Sequence, residues 1–233
     1  MFLFGSSYPV GKIGLNQEMS PLIFSLIRIL MMVIFLFPFL RFSSIKKANF
    51  KFVLVYGFLM GLGLYPLMYL SLAQTTSTSS MILVMQFSIP FGVIAGSIYL
   101  GENVSQKRWL LISLVLFGLA IICFDPIVLQ SPYSLILGCL AAISYGLASM
   151  ISRKLADFNA LEVNGWMAIT TLPIMTLLAF IFEKKNPDKS QTKRNDHFKV
   201  VFMIMLYQFF VLLIMVFMYV RKTKQFSPFQ IPM

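Results

Sequence analysis

Arg28 is the residue whose chemistry its neighbours explain least. It stands about 10 Å along an apolar run that opens at Ser20-Pro21. A cation at that depth in a membrane costs several kcal/mol unless it faces a partner or a wet cavity. Two placements are open to it: inward, towards such a partner, or outward, snorkelling to the outer interface along its own stem. Other polar and aromatic residues recur inside apolar runs. Ser6, Ser7 and Tyr8 fall in one, and Ser144 and Tyr145 in another. Tyr65 and Tyr69 are four apart, hence on one helix face, as are Gln86 and Pro90. Asn164 and Trp166 share a further run. Singly, each suits an interhelical hydrogen bond. Together they suit recognition of a small polar solute in a cavity near the membrane midplane. The expected substrate-binding set is Ser6, Tyr8, Arg28, Tyr65, Tyr69, Gln86, Tyr145 and Trp166.

Bond-making chemistry is poorly supported. Gly5 to Lys12 reads GSSYPVGK, but five residues separate its glycines and Ile13 follows the lysine, so it is not a phosphate loop. No paired carboxylates, histidine cluster or Ser/His/Asp set is legible, and an enzyme is not expected. The eight acidic residues avoid mid-helix positions, which argues against a proton-coupling carboxylate in the membrane. Cys123 and Cys139 lie in apolar runs and read as small buried residues. The lone histidine, His197, lies in a charged loop. Neither a metal nor any other cofactor is expected.

The elements that must position these residues are membrane helices. The 233-residue chain is 58% hydrophobic and only 12% charged, about half the charged fraction usual for a soluble domain. Its apolar residues form runs near the ~20 that cross a bilayer core. About eight helices follow: Met1 to Leu15, Pro21 to Leu40, Phe52 to Ala73, Thr78 to Leu100, Trp109 to Phe124, Tyr133 to Ser152, Ala160 to Phe182 and Val200 to Val220. The start of the first lacks the basic stretch and cleavage site of a signal peptide. Lys12, near the end of its helix, is expected to snorkel. Small residues recur four apart at Gly57/Gly61, Gly92/Gly96 and Gly138/Ala142/Gly146, a pattern that lets helix backbones approach closely.

The net charge of +11 sits mostly between the runs. That placement argues against nucleic acid and for orientation in a bilayer. The loops after helices two, four and six hold Arg41, Lys46, Lys47 and Lys51, then Lys107 and Arg108, then Arg153 and Lys154; those after three and five hold no Lys or Arg. The amino terminus and the ends of helices two, four and six are therefore expected inside. The loop Glu183 to Lys199 carries six cations on the side that alternation makes external.

A weak repeat runs through the chain. Ser7-Tyr8-Pro9-Val10 pairs with Ser144-Tyr145-Gly146-Leu147, and Met68-Tyr69…Ser77 with Met218-Tyr219…Ser227. The unit is five helices, and an odd number forces inverted topology. The expected division is a first repeat over 1–126, an incomplete second repeat of about three helices over 133–220, and a tail over 221–233. The fold class is all-α: a polytopic transmembrane bundle of inverted five-helix repeats.

Four segments carry a family resemblance. Phe4-Gly5-Ser6-Ser7-Tyr8 through Lys12-Ile13-Gly14-Leu15 is similar to the first-helix pattern of the EamA-type members of the drug/metabolite transporter superfamily, with Phe4 where tryptophan is usual. Ser20-Pro21-Leu22 through Arg28, the run Tyr69 to Ile98, and Leu100-Gly101-Glu102 through Trp109 resemble its later motifs. The likeness covers about residues 1–182. It implies ten helices in two inverted repeats, alternating access, and a cavity involving helices one, three, four and six. It also implies a small metabolite as substrate, such as an amino acid or derivative, with Gly101-Glu102 as a structural turn. Measured against ten helices, the chain reads as truncated at both ends, which would leave it an inactive relic or a membrane protein acting through helix association. The bilayer and a small-molecule substrate are the expected partners, with a homodimer as a further one, and a bacterial inner membrane is the expected location. A reporter fused after Phe182 should read as external and one in the loop 41–46 as cytoplasmic; a cytoplasmic signal after Phe182 would overturn the assigned orientation of the second half.

Overall fold

In a computed structural model the described residues are 7–16, 20–40, 47–75, 78–123, 131–155 and 158–183. Every regular element among them is helical. The chain runs α1 (Ser7–Asn16), α2 (Pro21–Leu36), α3 (Lys47–Gly57), α4 (Tyr65–Gln74), α5 (Thr78–Met85), α6 (Ser88–Leu100), α7 (Gln106–Cys123), α8 (Pro132–Lys154) and α9 (Ala160–Glu183). The spans Phe50–Gln74, Met81–Leu100, Pro132–Lys154 and Ala160–Phe182 are long and apolar enough to cross a membrane. The polytopic all-α bundle expected from run lengths is the architecture found. Expected helix eight, together with Met218, Tyr219 and Ser227 of the repeat, lies outside the described residues.

Proline shapes several runs. Pro21 and Pro132 sit in the first turns of α2 and α8, where the missing N–H costs nothing. Ser20 takes the N-cap position of α2 through its backbone, without a side-chain cap. The second run ends in a 3₁₀ turn, Phe37–Phe39, around Pro38. The third run is continuous but changes register: Phe58–Leu64 is π-helical, and the Tyr65 N–H donates to Met60 O, five residues back. Pro66 has no N–H for the Leu62 carbonyl, so α-helical pairing fails there. The fourth run breaks at Gln86-Phe87, where Pro90 cannot bond the Gln86 carbonyl and the Ile89 N–H takes it instead at 3.1 Å.

The small-residue stripes are packing surfaces, as their spacing predicts. A Cβ on Gly61 would fall 2.1 Å from Thr171 Cγ2, and one on Gly138 3.1 Å from both Met81 and Val84 side chains. α8 packs on α4, α6 and the π-helical segment, while α9 packs on α2 and α3. Ser71 and Ser134 lock α4 to α8: each hydroxyl donates to the other's carbonyl, at 2.6 and 2.8 Å. Basic side chains from the end of α8 gather where α3 begins and α6 ends. Lys154 lies 5.0 Å over the Phe52 ring, and Arg153 pairs with Glu102 just past α6. Glu162 places a carboxylate in the first turn of α9, where the helix dipole favours it.

Two glycine substitutions separate packing from propensity. At Gly146 a Cβ would meet backbone, 2.8 Å from Ser88 O and 2.9 Å from Gly92 N, whereas at Gly118 nothing lies within 4 Å. Gly146→Ala should destabilise the protein in detergent by about 1–3 kcal/mol through overpacking. Gly118→Ala should be neutral or stabilising by up to about 1 kcal/mol. Equal melting temperatures for the two variants would show that α8 does not depend on this crossing.

Candidate substrate site around Arg28

Arg28 turns inward. Residues Phe24, Arg28 and Met32 are spaced by four and form one stripe of α2. Tyr65 and Tyr69 form the facing stripe of α4. The two run antiparallel: Phe24 meets Tyr69 edge-on, ring centroids 4.7 Å apart, and the Tyr65 hydroxyl points at Met32 sulfur, 4.0 Å away. Between them Arg28 Nη1 donates to the Tyr69 hydroxyl at 2.5 Å. The guanidinium carbon lies 4.6 Å from the Tyr65 ring centroid. Insertion scales put an arginine at mid-helix at about 2.5–3.5 kcal/mol. A desolvated cation–π contact returns about 2 kcal/mol, and an interhelical hydrogen bond about 1–2 kcal/mol. These magnitudes nearly balance, so inward placement stands without snorkelling.

Further hydroxyls surround this pair. Tyr8 on α1 is buried and lies near Arg28, Tyr145 and Tyr69. Tyr145 on α8 lies near Tyr65 in turn. α1 can approach because Gly11 faces the Tyr69 ring; a Cβ there would lie 3.0 Å from Cε1. The structure thus gathers Tyr8, Arg28, Tyr65, Tyr69 and Tyr145. Ser6 lies outside the described residues. The Gln86 side chain is exposed at the break between α5 and α6, and Trp166 packs edge-on against Phe50, centroids 6.5 Å apart.

Sequence reasoning did not select Phe24, Met32 or Tyr56. The first two were signalled by their spacing of four from Arg28. The Tyr56 hydroxyl donates to Asn164 Oδ1 at 3.3 Å, across 108 residues of sequence, and no local pattern announces that. Lys12 has partners that its spacing does not announce: its ammonium donates to Leu72 O and Thr75 O at 2.9 and 2.7 Å. It caps the carbonyl end of α4, where unpaired carbonyls and the helix dipole attract a cation.

A separate groove of about 340 Å³ lies between α3, the π-helical segment and α9. Its lining is apolar except for Thr170 and Thr171, whose hydroxyls bond back to Trp166 and Met167 carbonyls of their own helix. It offers little to a polar solute. Among the described residues no group of three or more His, Cys, Asp or Glu side chains is placed to hold a metal ion.

Membrane-length helices closed around a cation and a ring of phenols define a polytopic membrane protein with a polar interior. A family model described as the EamA-like transporter family matches residues 1–124 and 132–230. The chain belongs to that family and is a membrane transporter of the drug/metabolite transporter superfamily, which points away from an enzyme. The match continues to residue 230, beyond Phe182 where the motif resemblance stopped. Comparison with curated proteins and with solved structures gives no match.

Tyr69→Phe keeps the ring but removes the hydroxyl that accepts from Arg28, and should cost about 1–2 kcal/mol of stability in detergent unfolding. Lys12→Met should cost about 0.3–2 kcal/mol by uncapping α4. A Tyr69→Phe protein as stable as the parent would show that the inward Arg28 contact carries no weight.

Proposed function

We propose that the chain moves a small polar metabolite, such as an amino acid or derivative, by alternating access, and that the Arg28 cluster recognises it. The observation that carries this reading is the Arg28 guanidinium, held inside the bundle by Tyr69 and the face of Tyr65. A guanidinium so placed can engage a carboxylate through paired N–H donors. Tyr8 and Tyr145 would supply hydroxyls to the solute, with Ser6, Gln86 and Trp166 completing its path.

A two-repeat organisation would suit alternating access. The family match falls in two stretches, 1–124 and 132–230, and its gap lies where the repeats proposed over 1–126 and 133–220 would join. Tyr8 and Tyr145, which the repeat aligns, lie near each other, which supports the reading that both halves would contribute to one site. Inverted halves that share a central site can expose it alternately to the two faces. A bacterial inner membrane is the proposed location, and a homodimer the proposed assembly.

Proteoliposomes loaded against a panel of labelled amino acids and related solutes test the reading. Saturable flux of at least one solute is expected. Arg28→Leu should lower it about tenfold or more, the effect of losing a charge-assisted hydrogen bond of about 1.5–3 kcal/mol. Arg28→Lys, which keeps the charge and loses the planar fork, should fall between. Full transport by a correctly inserted Arg28→Leu protein would remove Arg28 from the site. Absence of saturable flux for every solute would count against transport of this class.

A further inference from the structure

The backbones of α6 and α8 approach closely where Gly92 meets Gly146. A Cβ on Gly146 would stand 2.8 Å from Ser88 O, and one on Gly92 3.3 Å from Gly146 O. Beyond that crossing α6 continues about 12 Å to Leu100 and α8 about 10 Å to Arg153. At these ends the Arg153 guanidinium pairs with Glu102. It also donates through Nη2 to Gly92 O at 3.3 Å, so its side chain lies back along α6.

Two further glycines make room for this. Gly96 sits beneath the pair: a Cβ there would be 2.7 Å from Arg153 Nη1 and 2.9 Å from Glu102 Oε2. Gly101 ends α6 at φ 64°, a left-handed conformation that favours glycine. Through it the chain turns back, and the Glu102 N–H approaches Gly96 O at 3.4 Å. An incidental surface pair would need no such clearance. The pair also joins a helix of the proposed first half to one of the second, at the end where the basic loops gather.

We infer that Glu102 and Arg153 form a latch that holds the basic end of the transporter closed, and that this end opens by pivoting α6 against α8 at the Gly92–Gly146 crossing. The inference rests on the alternating-access reading. Neither residue is placed at the substrate site; both set the balance between closed and open forms. Each side chain is 38% exposed, so salt reaches and weakens the pair. A screened pair of this kind biases an equilibrium only up to about fivefold, which is enough to hold a gate and weak enough to release it.

The test uses the full chain with Cys123→Ala and Cys139→Ala, carrying Ser149→Cys as a reporter. Position 149 lies between pivot and latch, with the Ser149 hydroxyl 3.1 Å from where a Gly92 Cβ would be. A membrane-impermeant maleimide is applied at the basic end of oriented vesicles. Glu102→Gln or Arg153→Gln should speed labelling about two- to fivefold, and the double variant should label no faster than Arg153→Gln alone, because Glu102 acts through its contact with Arg153. Raised ionic strength should speed labelling of the reporter protein and leave Glu102→Gln unaffected; this arm needs no altered latch residue. Labelling indifferent to salt and to neutralisation, or increments that add in the double variant, would overturn the latch. Labelling that responds in a protein without saturable flux would instead retain the latch and reject the transport reading.

Discussion

Close backbone contact between α8 and the helices of the first half is the constraint on which the rest of the structure depends. Lipid is as apolar as leucine, so membrane helices gain little by burying apolar side chains against each other. They associate through tight packing and buried hydrogen bonds. α8 meets this requirement with Gly138, Ala142 and Gly146 along one face. Only with that clearance can Ser134 reach the Ser71 carbonyl at 2.8 Å, and only then does Tyr145 enter the group of phenols around Arg28. The same approach brings Arg153 back to Gly92 O at 3.3 Å. Packing, interior polarity and the ion pair at the basic end therefore share one geometric cause.

The interior cation follows from the same logic. Within a low dielectric a guanidinium needs its charge spread and its donors engaged. α2 and α4 provide both through two stripes at a spacing of four, read in opposite directions. Neither stripe is polar by ordinary measures, since phenylalanine, methionine and tyrosine dominate them. A run that looks uniformly apolar can thus carry a polar site, because an aromatic face is a cation acceptor.

Helix existence was legible because membrane runs are long and sparsely charged. Pro21 to Leu40, Tyr133 to Ser152 and Ala160 to Phe182 differ from α2 with its 3₁₀ turn, α8 and α9 only at their ends. Interruptions were half legible. Pro66 and Pro90 announce a lost hydrogen bond, yet sequence does not say that the first yields a π-helical register and the second a break. The cluster was legible as a set of residue types and not as a geometry. Tyr65 and Tyr69 share a face by period alone, but their meeting with Arg28 spans 41 residues, and local spacing holds no information on that pairing. Gln86 looked equivalent to the tyrosines because it also lies in an apolar run; the break beside it leaves its side chain exposed.

Lys12 and Arg28 show why residue type matters as much as depth. Both are cations on helices that face α4. The ammonium of Lys12 is a compact point charge, and it finds compact acceptors in the carbonyls of Leu72 and Thr75. Those carbonyls are fixed by the helix that ends there, so the contact is bound to the fold. Arg28 presents a plane, and its partners are a ring face and a phenol hydroxyl, both at the ends of side chains with rotamers of their own. A solute could replace the Tyr69 hydroxyl at the guanidinium edge without unwinding any helix, whereas nothing could replace the carbonyls at Lys12 without uncapping α4. Exchange of partners at low structural cost is what a substrate site requires. That difference sets Arg28 within the proposed site and Lys12 within the scaffold that supports it.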